Sequence, residues 1–293
     1  MNLQSTRYLI TQTVKEWQED NASRLAAALS YYTIFSLPPL LVISLAIAGR
    51  LYDREAIEAQ ILTQASDLVG QTGSDAIGQI LENASDPTLS SAAAIISLVM
   101  LLFGASGVFN QLQGAMDTIW DVAPKPGRGI LGTLKDRFFS FTMVLAVGFL
   151  LLVSLIISTL LGAFSQYLSG LVPNATFLAR ILNFLFSFGG IALLFAFIFK
   201  VIPDVKIRWG DVWVGAVATA ILFNIGKTAI GLYLGHSAPA SAYGAAGSLI
   251  VLLLWVYYSA QILFLGAEFT QVYANRFGGK VVPDDGAVAL DSK

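Results

Sequence analysis

Apolar residues gather into six long runs, and the stretches between them hold nearly all of the charge. The runs cover residues 26–49, 91–112, 138–164, 177–201, 212–234 and 244–269. As helices rising 1.5 Å per residue, each is long enough to cross a hydrocarbon core of about 30 Å. Basic residues alternate from one connection to the next. Thirteen of the seventeen lie in the N-terminal segment, the second and fourth loops and the C-terminal tail. Arg50, Arg54 and Arg180 lie at the first and third loops, and the fifth loop has none. Lysine and arginine are retained on the cytoplasmic side. The pattern therefore predicts an all-α polytopic membrane protein with six transmembrane helices and both termini cytoplasmic.

The same pattern divides the chain. Residues 1–25 are a cytoplasmic lead-in, 26–270 the six-helix transmembrane domain and 271–293 a cytoplasmic tail. In the lead-in, Ile10, Val14 and Trp17 share one helical face, which suits a short amphipathic helix on the inner membrane surface or a solvated lead-in helix. Asp20 or Asn21 is placed to cap the first span. The first loop, 51–90, is acidic and holds two amphipathic stretches, about 54–69 and 74–83, separated by Gly70 and Gly73. It reads as a helical extracytoplasmic cap, with a solvated linker as the alternative. The tail after Phe277, with its glycines and aspartates, reads as disordered. Ala46-Ile47-Ala48 matches a signal-cleavage pattern, but the run before it is longer than a signal core and its lead-in partly acidic, so a retained span is expected.

Composition narrows the chemistry. A hydrophobic fraction of 56%, a charged fraction of 12% and a mean hydropathy of +0.70 lie outside the usual soluble range. A net charge of −2 with no concentrated basic patch argues against a nucleic-acid partner. With no cysteine and one histidine, His236, neither thiol chemistry nor a His-rich metal cluster is available. No phosphate-binding loop, zinc-protease helix, serine-hydrolase elbow or dinucleotide fingerprint is present. No cofactor is expected, and the chain does not read as an enzyme. The basic loops, with Lys125, Arg128, Lys135 and Arg137 in the second and Lys200, Lys206 and Arg208 in the fourth, suit anionic headgroups or topological retention equally.

Polar residues inside the runs are costly and so informative. In the fifth, Ala216, Ala220, Asn224, Lys227, Gly231 and Gly235 form a small, polar stripe expected to face other helices. Lys227 is either a binding cation or a snorkelling lysine. The second run carries Gly107, Asn110, Gly114 and Asp117, the sixth carries Tyr258, Gln261 and Glu268, and Asn183 lies in the outer half of the fourth. These positions suit a translocation path or simple interhelical bonding. Pro38-Pro39 should kink or unwind the first span. Together with Gly189-Gly190 in the fourth, it is placed as the paired mid-span breaks of an inverted repeat would be.

Several ordered stretches carry a resemblance. They are Ala26-Ala27-Ala28-Leu29-Ser30-Tyr31-Tyr32 with Ser36-Leu37-Pro38, Asn110 with Ile119-Trp120, and Val201-Ile202-Pro203-Asp204-Val205 leading to Trp209. The longest is Tyr243-Gly244-Ala245-Ala246-Gly247-Ser248, continued by Leu254-Trp255-Val256-Tyr257 and Gly266-Ala267-Glu268. Along nearly its whole length the chain resembles the YihY/BrkB family of bacterial inner-membrane proteins. The resemblance implies a six-span protein of the bacterial cytoplasmic membrane with both termini inside. It also brings a ribonuclease label, for which this chain has no clustered ligands or water-facing base. The expected function is movement of a small or lipidic substrate, with a non-transporting membrane scaffold as the alternative. Candidate lining residues are Tyr31, Tyr32, Asn110, Asn183, Asn224, Lys227, Gln261 and Glu268, with Pro38 as a hinge.

Overall fold

The computed structural model describes residues 3–48, 53–84, 91–125, 175–236, 247–279 and 281–290. The third apolar run lies outside the described residues, as do most of the second loop and the fifth loop. Helices dominate: α1 Leu3–Glu19, α2 Ala22–Ala48, α3 Arg54–Ala84, α4 Ser91–Ile119, α5 Ala175–Val201, α6 Trp209–His236 and α7 Gly247–Phe277. Four short strands lie at one end: β1 Val122–Pro124, β2 Val205–Lys206, β3 Val282–Pro283 and β4 Ala287–Ala289.

Helix α7 is the hub, packing on α6, α2, α1 and α3, while α2 also lies along α4 and α5 along α6. Small residues allow the closest approach. A Cβ built on Gly215 of α6 would fall inside the Thr270 side chain of α7, and one on Gly266 of α7 inside Thr219 of α6. The two helices therefore interlock antiparallel through reciprocal Gly-xxx-Thr pairs. Both threonines are fully buried, and each hydroxyl donates to the carbonyl of its own glycine partner, at 2.7 Å in α6 and 2.6 Å in α7. Backbones that touch this closely gain dispersion contact without relying on water to drive them together.

The outward faces are apolar. On α6, Trp213, Val217, Ile221, Ile225 and Leu232 are exposed, while Ala216 and Ala220 on the opposite side are fully buried. The expected small stripe does face its neighbours there. Among the described residues, Trp209–Tyr233 and Leu249–Phe277 are long and apolar enough to cross a membrane. Only 28% and 39% of their apolar windows are buried, so these are not core helices of a protein that hides its apolar surface from solvent.

Two expectations about breaks, unwinding at Pro38-Pro39 and a break at Gly189-Gly190, need correction. Helix α2 runs unbroken through Pro38-Pro39, and α5 through Gly189-Gly190. Ser36 and Tyr32 of α2 pack against Gly104 and Gly107 of α4, and this contact holds the segment helical where local propensity alone predicts unwinding. In the first loop the reverse holds. Ser74 Oγ donates to the Leu62 carbonyl at 2.9 Å, whereas twelve residues of straight helix would separate the two by about 18 Å. Helix α3 thus doubles back between its two amphipathic stretches. Ala65 of one arm joins Ile77 and Leu81 of the other in a second core with Leu252, against Ile34, Leu37 and Trp255. This caps the end of α2 and α7 away from the strands.

The tail corrects a third expectation. It is paired rather than disordered: β4 runs antiparallel to β1, with Val122 opposite Ala289, and β3 antiparallel to β2, with Val205 opposite Pro283. Residues 281–290 therefore join the loop after α4 to the loop between α5 and α6.

Candidate functional site

Helix α1 packs along α7 through its Leu9, Thr13 and Asp20 side, all buried, while Ile10 and Val14 are exposed. The Arg276 guanidinium lies 5.2 Å from the Tyr8 ring, and Glu16 and Asp20 lie near Glu268. So α1 descends antiparallel beside the last turns of α7, with Ile10 and Val14 turned away from it. Asn21, with φ 54°, makes the left-handed turn between α1 and α2 that asparagine tolerates.

Glu268 sits where α1, α7 and the end of α4 meet. Its side chain is wholly buried, and neither carboxylate oxygen has a hydrogen-bond partner among the described residues. Among the described residues, the ionisable groups near enough to act on it are Asp20, Glu16 and Asp121, all acidic. Two turns further along the same face of α7, Gln261 Oε1 is also buried without a partner. Thr13 Oγ1, Trp17 Nε1 and Trp120 Nε1, on α1 and at the end of α4, complete this set of unmatched buried atoms. Such groups are uncommon in folded proteins.

The acids divide into two groups. Asp121, with φ 52°, ends α4 and accepts a bond from Gln271 Nε2 at 2.9 Å, one turn of α7 beyond Glu268. Asp117 turns the other way. Its Oδ1 accepts the Asp204 backbone N–H at 3.0 Å, tying α4 to the loop before β2. Asp20, Glu16 and Asp121 were not singled out by spacing, because their relation to Glu268 depends on two left-handed turns and on α1 folding beside a helix some 250 residues away.

The other candidates are spread over α2, α4, α5 and α6. Tyr31 and Tyr32 are exposed, in edge-on contact with ring centroids 5.7 Å apart, and Asn110 is exposed. Asn224 is half-buried and donates to the Ala220 carbonyl of its own helix at 2.8 Å. Lys227 is half-buried one turn further on. Pro38 lies within α2, and Asn183 falls in α5, its side chain outside the described residues. The two best-formed concavities among the described residues are on α3. The larger, of about 370 Å³, is lined by Leu62, Gln71, Ser74, Asp75, Gly78, Gln79 and Glu82.

Basic loop residues are engaged by the tail. Lys206 Nζ lies 2.7 Å from Asp285 Oδ1 and 3.3 Å from Asp284 Oδ1. Lys125 Nζ donates to the Asp285 carbonyl at 2.8 Å, and its backbone N–H to the Gly286 carbonyl at 3.0 Å. Bonding to Asp285 and then Asp284 raises the Lys206 ammonium above its ordinary value. Asp284 is held below its own, first by the Asp285 backbone N–H and then by Lys206. Lys200 instead donates to the Ile207 carbonyl and lies 5.9 Å from the Trp209 ring.

Long apolar helices with exposed apolar faces, interlocked through small residues around a buried carboxylate, define a helical membrane protein. The chain belongs to the family described as Virulence factor BrkB, which matches residues 13–289. A UPF0761 membrane protein of Tolumonas auensis is 30% identical over 278 residues, covering 92% of this chain and 85% of the relative. One from Halorhodospira halophila is 27% identical over 287 residues, covering 94% of this chain. One from Rhodospirillum centenum is 25% identical over 281 residues, covering 93%. The chain spans 60% and 59% of the length of these last two relatives. No solved structure matches.

Proposed function

We propose that this protein moves a small or lipidic substrate across or within the cytoplasmic membrane. In this reading it spans the membrane six times with both termini inside, works without its own nucleotide site and performs no bond chemistry. One observation carries the reading: Glu268, wholly buried in an apolar hub helix with both oxygens unpartnered. An ionisable residue buried in a spanning helix is costly, and such residues commonly mark substrate or ion pathways. Gln261 extends the same face toward the opposite membrane surface, and Lys227 stands on the adjoining α6.

The test is lipid and metabolite profiling of a deletion strain, followed by uptake or flip assays in proteoliposomes with the species that accumulates. Glu268→Gln, expressed at the normal level, is expected to lose most of that movement. Undiminished movement in both Glu268→Gln and Lys227→Ala would overturn the proposal. The scaffold reading draws on a different observation, since the best-formed concavities among the described residues lie on α3. On that reading, changes at Asp75 and Glu82 impair complementation while Glu268→Gln does not.

A further inference from the structure

The C-terminal strands pair with two separate loops, and they do so at the end of the bundle where Glu268 lies. Strand β4 takes β1 as its partner, and β3 takes β2. Further bonds run Leu290 N–H to the Asp121 carbonyl at 2.8 Å and Asp284 N–H to the Asp204 carbonyl at 2.8 Å. Ala287 is buried in the main core, and Val281 packs against it. The tail therefore lies under the bundle as a strap, anchored by Ala287 and Val281, while Val282, Val288 and Leu290 stay exposed.

The strap leads directly to the buried carboxylate. Strand β1 begins immediately after Asp121, whose side chain is held by Gln271 one turn from Glu268 and whose charge bears on Glu268. Its fastenings to the loops are partly polar and exposed. Lys206 and Asp284 have side chains 55% and 54% exposed, and Asp285 is 95% exposed. These ion pairs are exposed and screened by solvent, and the strands beside them are only two and three residues long, so the strap is held less firmly than α6 and α7, which interlock through backbone approach.

We propose that the strap formed by residues 281–290 is a releasable seal over the Glu268 site, held shut by Lys206 against the Asp284 and Asp285 carboxylates and by Lys125 on the Asp285 carbonyl. The proposal deepens the transport reading by naming the gate of that same site. Release of the strap frees Asp121 from Leu290 and opens the junction of α1, α4 and α7 to water from the strand side.

The native chain has no cysteine, so single-cysteine labelling tests this without background. Glu268→Cys, in the full chain in nanodiscs with both faces accessible, is treated with a membrane-impermeant maleimide. Lys206→Glu is then added, replacing two attractions by two repulsions, and finally Asp284→Lys with Asp285→Lys restores the pairing in reversed sign. The expected result is slow labelling in the first protein, at least roughly tenfold faster labelling in the second and a return toward the slow rate in the third. Equal rates with and without Lys206→Glu would overturn the seal, as would fast labelling from the start. Ala260→Cys, two turns deeper on α7, must stay unlabelled throughout; if it accelerates in step, Lys206→Glu has loosened the whole bundle and the proposal fails. None of these readouts requires transport, so failure of the seal and failure of the transport reading are separable.

Discussion

Gly215 and Gly266 decide how near α6 and α7 stand. Each is faced by a fully buried threonine of the other helix, with no room for a methyl group. Gly215→Ala must push Thr270 and its backbone outward, and overpacking of this kind costs about 1–3 kcal/mol. The expected outcome is a clearly lowered thermal midpoint in detergent, with expression retained. Gly231→Ala is the control, since nothing lies within 4 Å of the Cβ it adds, and it should leave the midpoint unchanged. Spacing on one helix gave a stripe of small and polar residues from Ala216 to Gly235. The tight contact lies instead at Gly215, and one helix alone could not reveal it, because half of the clasp is on a helix some fifty residues later. Glu268 was legible as a polar exception in an apolar run. Its isolation from any partner, and the acids around it, were not, since Glu16, Asp20 and Asp121 reach it only through tertiary packing.

Elements differ in how much of their form is written locally. Helix α3 was readable as two amphipathic arms, because glycines at 70 and 73 weaken the helix where it must turn. Helix α1 was readable as amphipathic, but the burial of Leu9 and Thr13 was not, because it comes from contact with α7. The strap was misread altogether. Its strands are two and three residues long, and their register is imposed by loops some 80 and 165 residues away. Electrostatics at the strap gives a pH prediction. Asp284 is depressed below 3.8, so its contribution is present above that value and is lost as pH falls through its lower folded value. Lys206 is raised above 10.5, so its contribution is full below that value and is lost as pH rises through its higher folded value. Amide-exchange protection of residues 281–290 should therefore be flat between about pH 5 and 9 and fall on strong acidification. Added salt should reduce it at every pH in that window, because the pairs are exposed and screened. Protection that climbs as pH drops from 5 to 3 would contradict this assignment.

At the scale of the molecule, the strap and the α3 cap lie at opposite ends of α7, and the proposed six-span topology puts them on opposite sides of the membrane. The strap end gathers Lys125, Lys206, Arg208 and Arg276, with Trp209 and Phe277 exposed beside them, the mixture of basic and aromatic residues that marks a cytoplasmic boundary. The cap end carries Glu55, Glu58, Asp75 and Glu82, and acidic residues exert little topological pull, so the assignment rests on the basic residues. Six spans place both on their sides only if the run at 138–164 also crosses, since five crossings would put the tail and the N-terminal helix on opposite faces. Single cysteines settle the count: Thr63→Cys on the cap, Gln4→Cys on α1 and Asp285→Cys on the strap, each in intact cells and in inverted vesicles. Six crossings require the impermeant reagent to reach position 63 from outside, and positions 4 and 285 only from inside. Labelling of 4 and 285 from opposite faces would mean an odd number of crossings. Labelling of 63 from the same face as 285 would reverse the first loop, and with it the side on which the strap closes.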